Sequence, residues 1–161
     1  MALAKMHALA KMLVEKNLFL REQLDFYMEN GSLDYAQKNQ GPTILFGRFQ
    51  YDAIFSIERY SQSADVILAL VGCWLIAFDS DREAHDLPPP TFDITPLDVY
   101  TVDLEIKIPF LEDIVGAPDA GGLIELGGVS YSIQDKNIAI ADSVGVGDSP
   151  QRATDLVYKR P

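Results

Sequence analysis

Arg48-Phe49-Gln50-Tyr51-Asp52-Ala53-Ile54-Phe55-Ser56-Ile57-Glu58 sets Phe49, Tyr51, Ala53, Phe55 and Ile57 at every second position, with Arg48, Gln50, Asp52, Ser56 and Glu58 between them. Successive side chains of a strand point to opposite faces, so this period of two predicts a long strand with one apolar face. Ile54 alone departs from the alternation, on the polar side. The strand lies in an aromatic and β-branched segment, 44–60. The same signal returns within residues 97–108, where Val102, Leu104, Ile106 and Ile108 alternate with Thr101, Asp103, Glu105 and Lys107. Pro109, which lacks a ladder donor, is expected to end that strand.

Shorter pieces surround these two strands. Residues 32–37 read as a short strand before the turn at 38–42, and residues 92–95 as another. Residues 112–122, with Gly116, Pro118, Gly121 and Gly122, read as a loop. Residues 123–126 and 129–133 form a hairpin through Gly127-Gly128. Beyond 135 the periodicity is weak, with short strands expected at 137–141 and 156–159.

Two helices complete the pattern. Residues 3–29 carry Leu3, Met6, Leu9, Leu13, Phe19 or Leu20, Leu24 and Tyr27, recurring mostly at three- and four-residue steps, one amphipathic helix capped at Asn30-Gly31, with Asn17 as a kink or a break between two helices. Ala-Leu-Ala-Lys-Met occurs at 2–6 and again at 8–12; a six-residue offset suits neither a heptad nor a solenoid. Residues 64–78 are apolar almost all round, which places that helix in the core or in a subunit interface. Trp74 is its expected core anchor and Cys73 a buried structural thiol. Long strands around a buried helix define an α+β fold: a mixed or antiparallel β-sheet packed on one face by two main helices.

The chain has 161 residues, 48% hydrophobic and 23% charged, enough apolar side chain for one core. Its formal net charge of -11 repels nucleic acid and anionic membranes. One cysteine supports neither a disulfide framework nor a cysteine metal site and fits a reducing compartment. Lys5, Lys11 and Lys16 interrupt the first apolar positions, unlike a signal peptide, and the apolar run 66–78 is too short to span a bilayer.

The residues that carry chemistry do not converge. His7 lies in the first helix. His85 stands with Asp81, Glu83 and Asp86, ligand types that read as a solvated loop. Gly128-Val129-Ser130-Tyr131-Ser132 is not a nucleophile elbow, and Cys73 has no basic neighbour in sequence to activate it. Gly121-Gly122 and Gly145-Val146-Gly147 precede no helix and lack the Lys-Ser/Thr of a phosphate loop. No basic stripe interleaves with aromatics, so specific nucleic-acid binding is not indicated.

A succession of pieces resembles the phage tail completion protein R (GpR-like) family of contractile-tailed phages. His7-Ala8-Leu9 is followed by Phe26-Tyr27-Met28-Glu29-Asn30-Gly31-Ser32-Leu33, then by residues 49–58, Ser63-Ala64-Asp65 and Trp74-Leu75. Phe92-Asp93-Ile94, Val102-Asp103-Leu104-Glu105-Ile106, Glu112-Asp113 and Gly121-Gly122-Leu123 close the order, which covers roughly 7–130. The resemblance implies a tail terminator-like α+β fold and a non-enzymatic virion protein with no catalytic residue, cofactor or metal. It implies a homo-oligomeric ring, commonly of six copies, at the head-proximal end of the tail, made in the bacterial host cytoplasm. Its partners would be tail tube and sheath proteins and head-neck connector proteins, with genomic DNA passing through unbound and no membrane involved. Residues 1–134 are expected to form the domain and 135–161 a C-terminal extension or arm. The rival expectation is a small α+β ligand-binding domain or enzyme, which would need a pocket of convergent polar groups.

Overall fold

The computed structural model describes residues 2–135. Its elements are α1 (Ala4–Glu15), a 3-10 turn (Arg21–Gln23), β1 (Leu24–Gln40), β2 (Thr43–Tyr60), α2 (Ala64–Phe78), β3 (Thr91–Pro96), β4 (Val102–Pro118), β5 (Ile124–Leu126) and β6 (Val129–Ile133). The strands form one six-stranded sheet in the order β1-β2-β4-β6-β5, with β3 also on β4. Every pairing is antiparallel.

The alternation in β2 and β4 does what a period of two requires. Across the sheet, Phe26, Phe55, Ile106 and Phe92 form one cross-strand row, and Leu24, Ile57, Leu104 and Ile94 the next. The β2 and β4 members of both rows are buried, in one cluster with Met6, Leu9 and Leu13 of α1 and Ile67, Val71, Trp74 and Leu75 of α2. Both helices therefore cover the same sheet face. Ile54, the residue out of pattern, sits on the opposite face in a row between Tyr27 and Lys107 and is buried there.

The first helix is shorter than its spacing predicts. α1 ends at Glu15, and Asn17 takes a left-handed φ of 56°. Asparagine tolerates that conformation and stops the helix there. The chain then turns through Arg21–Gln23, where Gln23 Nε2 donates to the carbonyls of Glu58 (2.7 Å) and Arg59 (3.1 Å). Residues 24–30 continue as strand, not helix. Leu24, Phe26 and Met28 already alternate, and burying them against Ile57, Phe55 and Ala53 outweighs the helical spacing of Leu20, Leu24 and Tyr27. The segment read as a short strand, 32–37, is the middle of this 17-residue β1, with bulges after Glu29 and Tyr35.

β4 is likewise displaced from its predicted bounds. Residues 97–101 form a turn in which Asp98 Oδ1 accepts from the backbone of Tyr100 and Thr101 and from the Thr101 hydroxyl, holding its carboxyl below the ordinary range. At its other end β4 runs through Pro109 to Pro118. The Pro109 carbonyl accepts from Arg82 Nη1 at 3.2 Å, so its ring nitrogen faces the side of β4 away from β2. β3 has ended at Lys107 on that side, and no ladder donor is lost. Residues 112–118, read as loop, are strand because Gly116 pairs with Ile44 and with Ile133 at once. The Phe46 ring fills the space a Cβ at Gly116 would need. The Gly127-Gly128 hairpin forms as its sequence predicts, both glycines at positive φ.

Cys73 is exposed on α2 rather than buried. Trp74 is the anchor its size implies, 4% exposed and edge-on to Phe110 at 6.1 Å. The strands expected at 137–141 and 156–159 lie outside the described residues, as does all but the first residue of the expected 135–161 extension.

Candidate functional site

The most concentrated polar chemistry lies where α1 begins, beneath the middle of β4. The first N–H groups of a helix have no partner within it. Here Glu112 supplies one from across the fold: Oε1 accepts from Ala4 N at 3.1 Å and Oε2 from Lys5 N at 2.9 Å. A carboxylate at that helix end also meets the positive end of the macrodipole. Tyr51 Oη donates to Glu112 Oε2 at 2.5 Å. Burial first, then the charge and hydrogen bond of Glu112, push the Tyr51 phenol far above its ordinary range.

Asp79 forms the second half of the cluster. It is 1% exposed, the one buried charged residue among those described. Its two oxygens face Lys5 Nζ at 2.5 Å and Arg82 Nη1 at 2.6 Å. Lys5 Nζ also donates to the Leu111 carbonyl at 2.9 Å, and Arg82 Nη2 to the Pro88 carbonyl at 2.7 Å. Every charge in this cluster is engaged by another part of the fold, as burial demands. The arrangement clamps α1, the end of α2, the loop after it and β4 together.

A cavity of about 380 Å³ opens beside the clamp, lined by Lys5, Phe49, His85, Leu111, Glu112 and Val115 among others. Its lysine and glutamate are the clamp residues, and its other polar lining residues are Asp81, His85, Asp113, Gln134 and Asp135. His85 Nε2 lies 3.6 Å from Asp81 Oδ2 at the rim. Glu83 and Asp86 do not join them, and among the described residues no three His, Cys, Asp or Glu side chains converge as a metal ion requires. His7 is elsewhere, edge-on to Phe26 at 5.6 Å.

Two surfaces differ from ordinary protein exterior. α2 buries Ile67, Val71, Trp74 and Leu75 but turns Val66, Ala69, Cys73, Ile76 and Ala77 outward, Ile76 at 76% exposure. The sheet face away from the helices carries Asp25, Glu29, Asp52, Asp93, Asp103 and Glu105 on neighbouring strands, with Lys107 3.4 Å from Asp52. Among the described residues no helix is long and apolar enough to cross a membrane.

The sequence placed Glu112 in a loop and read Tyr51 as one of the apolar strand face and Lys5 as a break in the first apolar positions; it assigned Lys5, Tyr51, Asp79 and Arg82 no part in a site. Only the Glu112-Asp113 pair within the family resemblance pointed to this place, because the clamp joins residues as far as 107 and 108 positions apart.

Fold and site together define an α+β protein whose buried polar groups hold its own elements in register and whose unusual features are surfaces. The chain belongs to the P2 phage tail completion protein R (GpR) family, whose sequence profile matches residues 3–135. That family makes structural proteins of the phage tail, so virion assembly is the setting of this fold. No curated protein and no solved structure matches the chain.

Proposed function

We propose that the protein completes the tail at its head-proximal end by assembling as a ring of copies on the tail tube, six being the expected number, and so supports joining of the head. It acts without catalysis, through contacts with tube, sheath and head-neck connector proteins. The observation that carries this reading is the outward stripe of α2. A monomer in water gains nothing by exposing Val66, Cys73 and Ile76 on one helix face, whereas a subunit in an assembly buries them.

The acidic sheet face supports the companion reading that this surface lines the channel. Carboxylates there remove the phosphate-contact attraction that would hold DNA, letting it pass. Neutral or basic residues on the pore wall of an assembled ring would end that part of the proposal.

Light scattering across concentration tests the assembly. A discrete multimer several times the 17.8 kDa chain supports the ring. A protein that stays monomeric, both alone and with purified tail tubes added, refutes it.

A further inference from the structure

The sheet is open along two edges. β1 pairs with β2 and β3 with β4, and among the described residues no further strand joins either. In the order β3-β4-β2-β1 each strand runs against its neighbour. Copies related by rotation about an axis along the strands therefore bring β3 of one antiparallel to β1 of the next. A head-to-tail contact of this kind closes into a ring when the rotation returns on itself.

The ladder decides which backbone groups face these edges. In an antiparallel pair alternate residues turn their N–H and C=O to one neighbour and then to the other. The Pro109 carbonyl points away from β2, to Arg82 Nη1. The unbroken register then turns Ile108, Ile106 and Leu104 towards Ala53, Phe55 and Ile57, and leaves Asp52, Ile54 and Ser56 to serve Glu29, Tyr27 and Asp25 of β1. Leu24, Phe26 and Met28 face the open edge. Both groups of Leu24 are used by Arg21: its N–H donates to the Arg21 carbonyl, and its carbonyl accepts from Arg21 Nη1 at 3.0 Å. The bulge after Glu29 ends the regular edge on the other side. On β3 the same alternation sets Thr91, Asp93 and Thr95 against β4, in phase with the bond from Leu97 N–H to the Thr101 carbonyl at 3.0 Å. Phe92 and Ile94 turn outward, and Pro96, which has no N–H, closes that edge.

We propose that β3 of one copy docks antiparallel on β1 of a second copy, with Ile94 paired to Phe26 and Phe92 paired to Met28, an inference that rests on the ring reading and names its joint. Each edge offers two residues whose N–H and C=O face outward, and this register engages both. It sets Pro96, without a donor, beside Leu24, whose groups are already taken. It also lays Ile94 and Phe92 in line with the apolar rows that cross the sheet, and covers an Ile94 that is 45% exposed in the single chain. On the open face Tyr27 comes opposite Asp93, Asp25 opposite Thr95 and Glu29 opposite Thr91. A shift of two residues in either direction keeps only one of the two pairs and sets Asp93 against Asp25 or against Glu29, where like charges repel. Strand addition takes its affinity from backbone bonds and its register from alternate side chains. The acidic sheet face then continues from copy to copy.

Disulfide trapping on the full chain, alone and with tail tubes added, tests it. Tyr27 and Asp93 face each other between the two hydrogen-bonded pairs, where Cα atoms lie about 4.5 Å apart, within disulfide reach. Inside one chain they are three strand spacings apart, about 14 Å, too far to join. A Cys73→Ser chain with Tyr27→Cys and Asp93→Cys should give a ladder of covalent multimers on oxidation. Asp25→Cys with Thr91→Cys, four residues out of register, should give none. Light scattering tells the failure of this joint from the failure of the ring. A multimer without the Tyr27–Asp93 link, or one that links both pairs equally, overturns the pairing and leaves the ring standing; a chain that is monomeric throughout overturns both. Ile94→Pro is a second probe, since it removes an outward N–H and no bond to β4. It should unfold at nearly the same denaturant concentration as the unmodified chain, yet need at least about tenfold more protein to assemble. Assembly at unchanged concentration overturns the proposal.

Discussion

α1 and α2 lie on the same sheet face and divide their surfaces differently. α1 buries Met6, Leu9, Ala10 and Leu13 and shows water Lys11, Glu15 and Lys16. α2 buries Ile67, Val71, Trp74 and Leu75 and shows water more of the same kind, Val66, Cys73 and Ile76. The first helix is complete as it stands; the second has one face for the core and one left over. Depth in the core and readiness for a partner are thus separable on adjacent turns of one element.

The sharpest way to break the contrast is to strike the inner face of α2. Trp74→Ala should cost about 3–5 kcal/mol, read by denaturant unfolding, because the indole is buried against Phe110 and Phe78. Leu9→Ala on α1 should cost about 2–5 kcal/mol by the same measurement. If either falls within ordinary surface effects, the helix concerned is not packed on the sheet.

The clamp should respond next. Glu112→Gln keeps the size but weakens the charge-assisted bonds to the α1 N-terminus, an expected loss of about 1–2 kcal/mol. Tyr51 adds a pH dependence of known sign. Its folded pKa is raised above the ordinary 10.0, so its stabilisation is present below that value and is lost as the solution becomes more alkaline. Tyr60, raised by burial, adds to the same window. Thermal melts should therefore fall above about pH 10, and less steeply for Tyr51→Phe, which starts lower because Glu112 loses a donor.

The smallest expected change in stability carries the most about function. Ile76→Ser on the outer face should shift unfolding by less than about 0.5 kcal/mol while reducing self-association or binding to tail tubes. Unchanged assembly would remove α2 from the interface.

Legibility of the sequence followed the locality of the forces. α2, the β2 alternation and the glycine hairpin were readable because each is decided within a dozen residues. The boundary of α1 was not, because Leu20, Leu24 and Tyr27 satisfy a helical spacing while Leu24, Phe26 and Met28 satisfy a strand spacing. Only the presence of Phe55 and Ile57 alongside decides between them. Pro109 misled for a related reason: its missing donor matters only where a neighbouring strand asks for it. The exposure of Cys73 depends on which side of an all-apolar helix meets the sheet, and the helix sequence does not distinguish its sides.

The cap on α1 also sets an order of events in time. Ala4 and Lys5 wait for a carboxylate 108 and 107 residues downstream, and Lys5 waits for Asp79. A chain made from its N-terminus exposes the apolar stripe of its first helix long before β4 exists to receive it. Contacts of such sequence separation close slowly. The nascent chain therefore passes through a stage in which α1 is exposed and unpartnered by β4. Docking of α1 thus waits for a strand made much later.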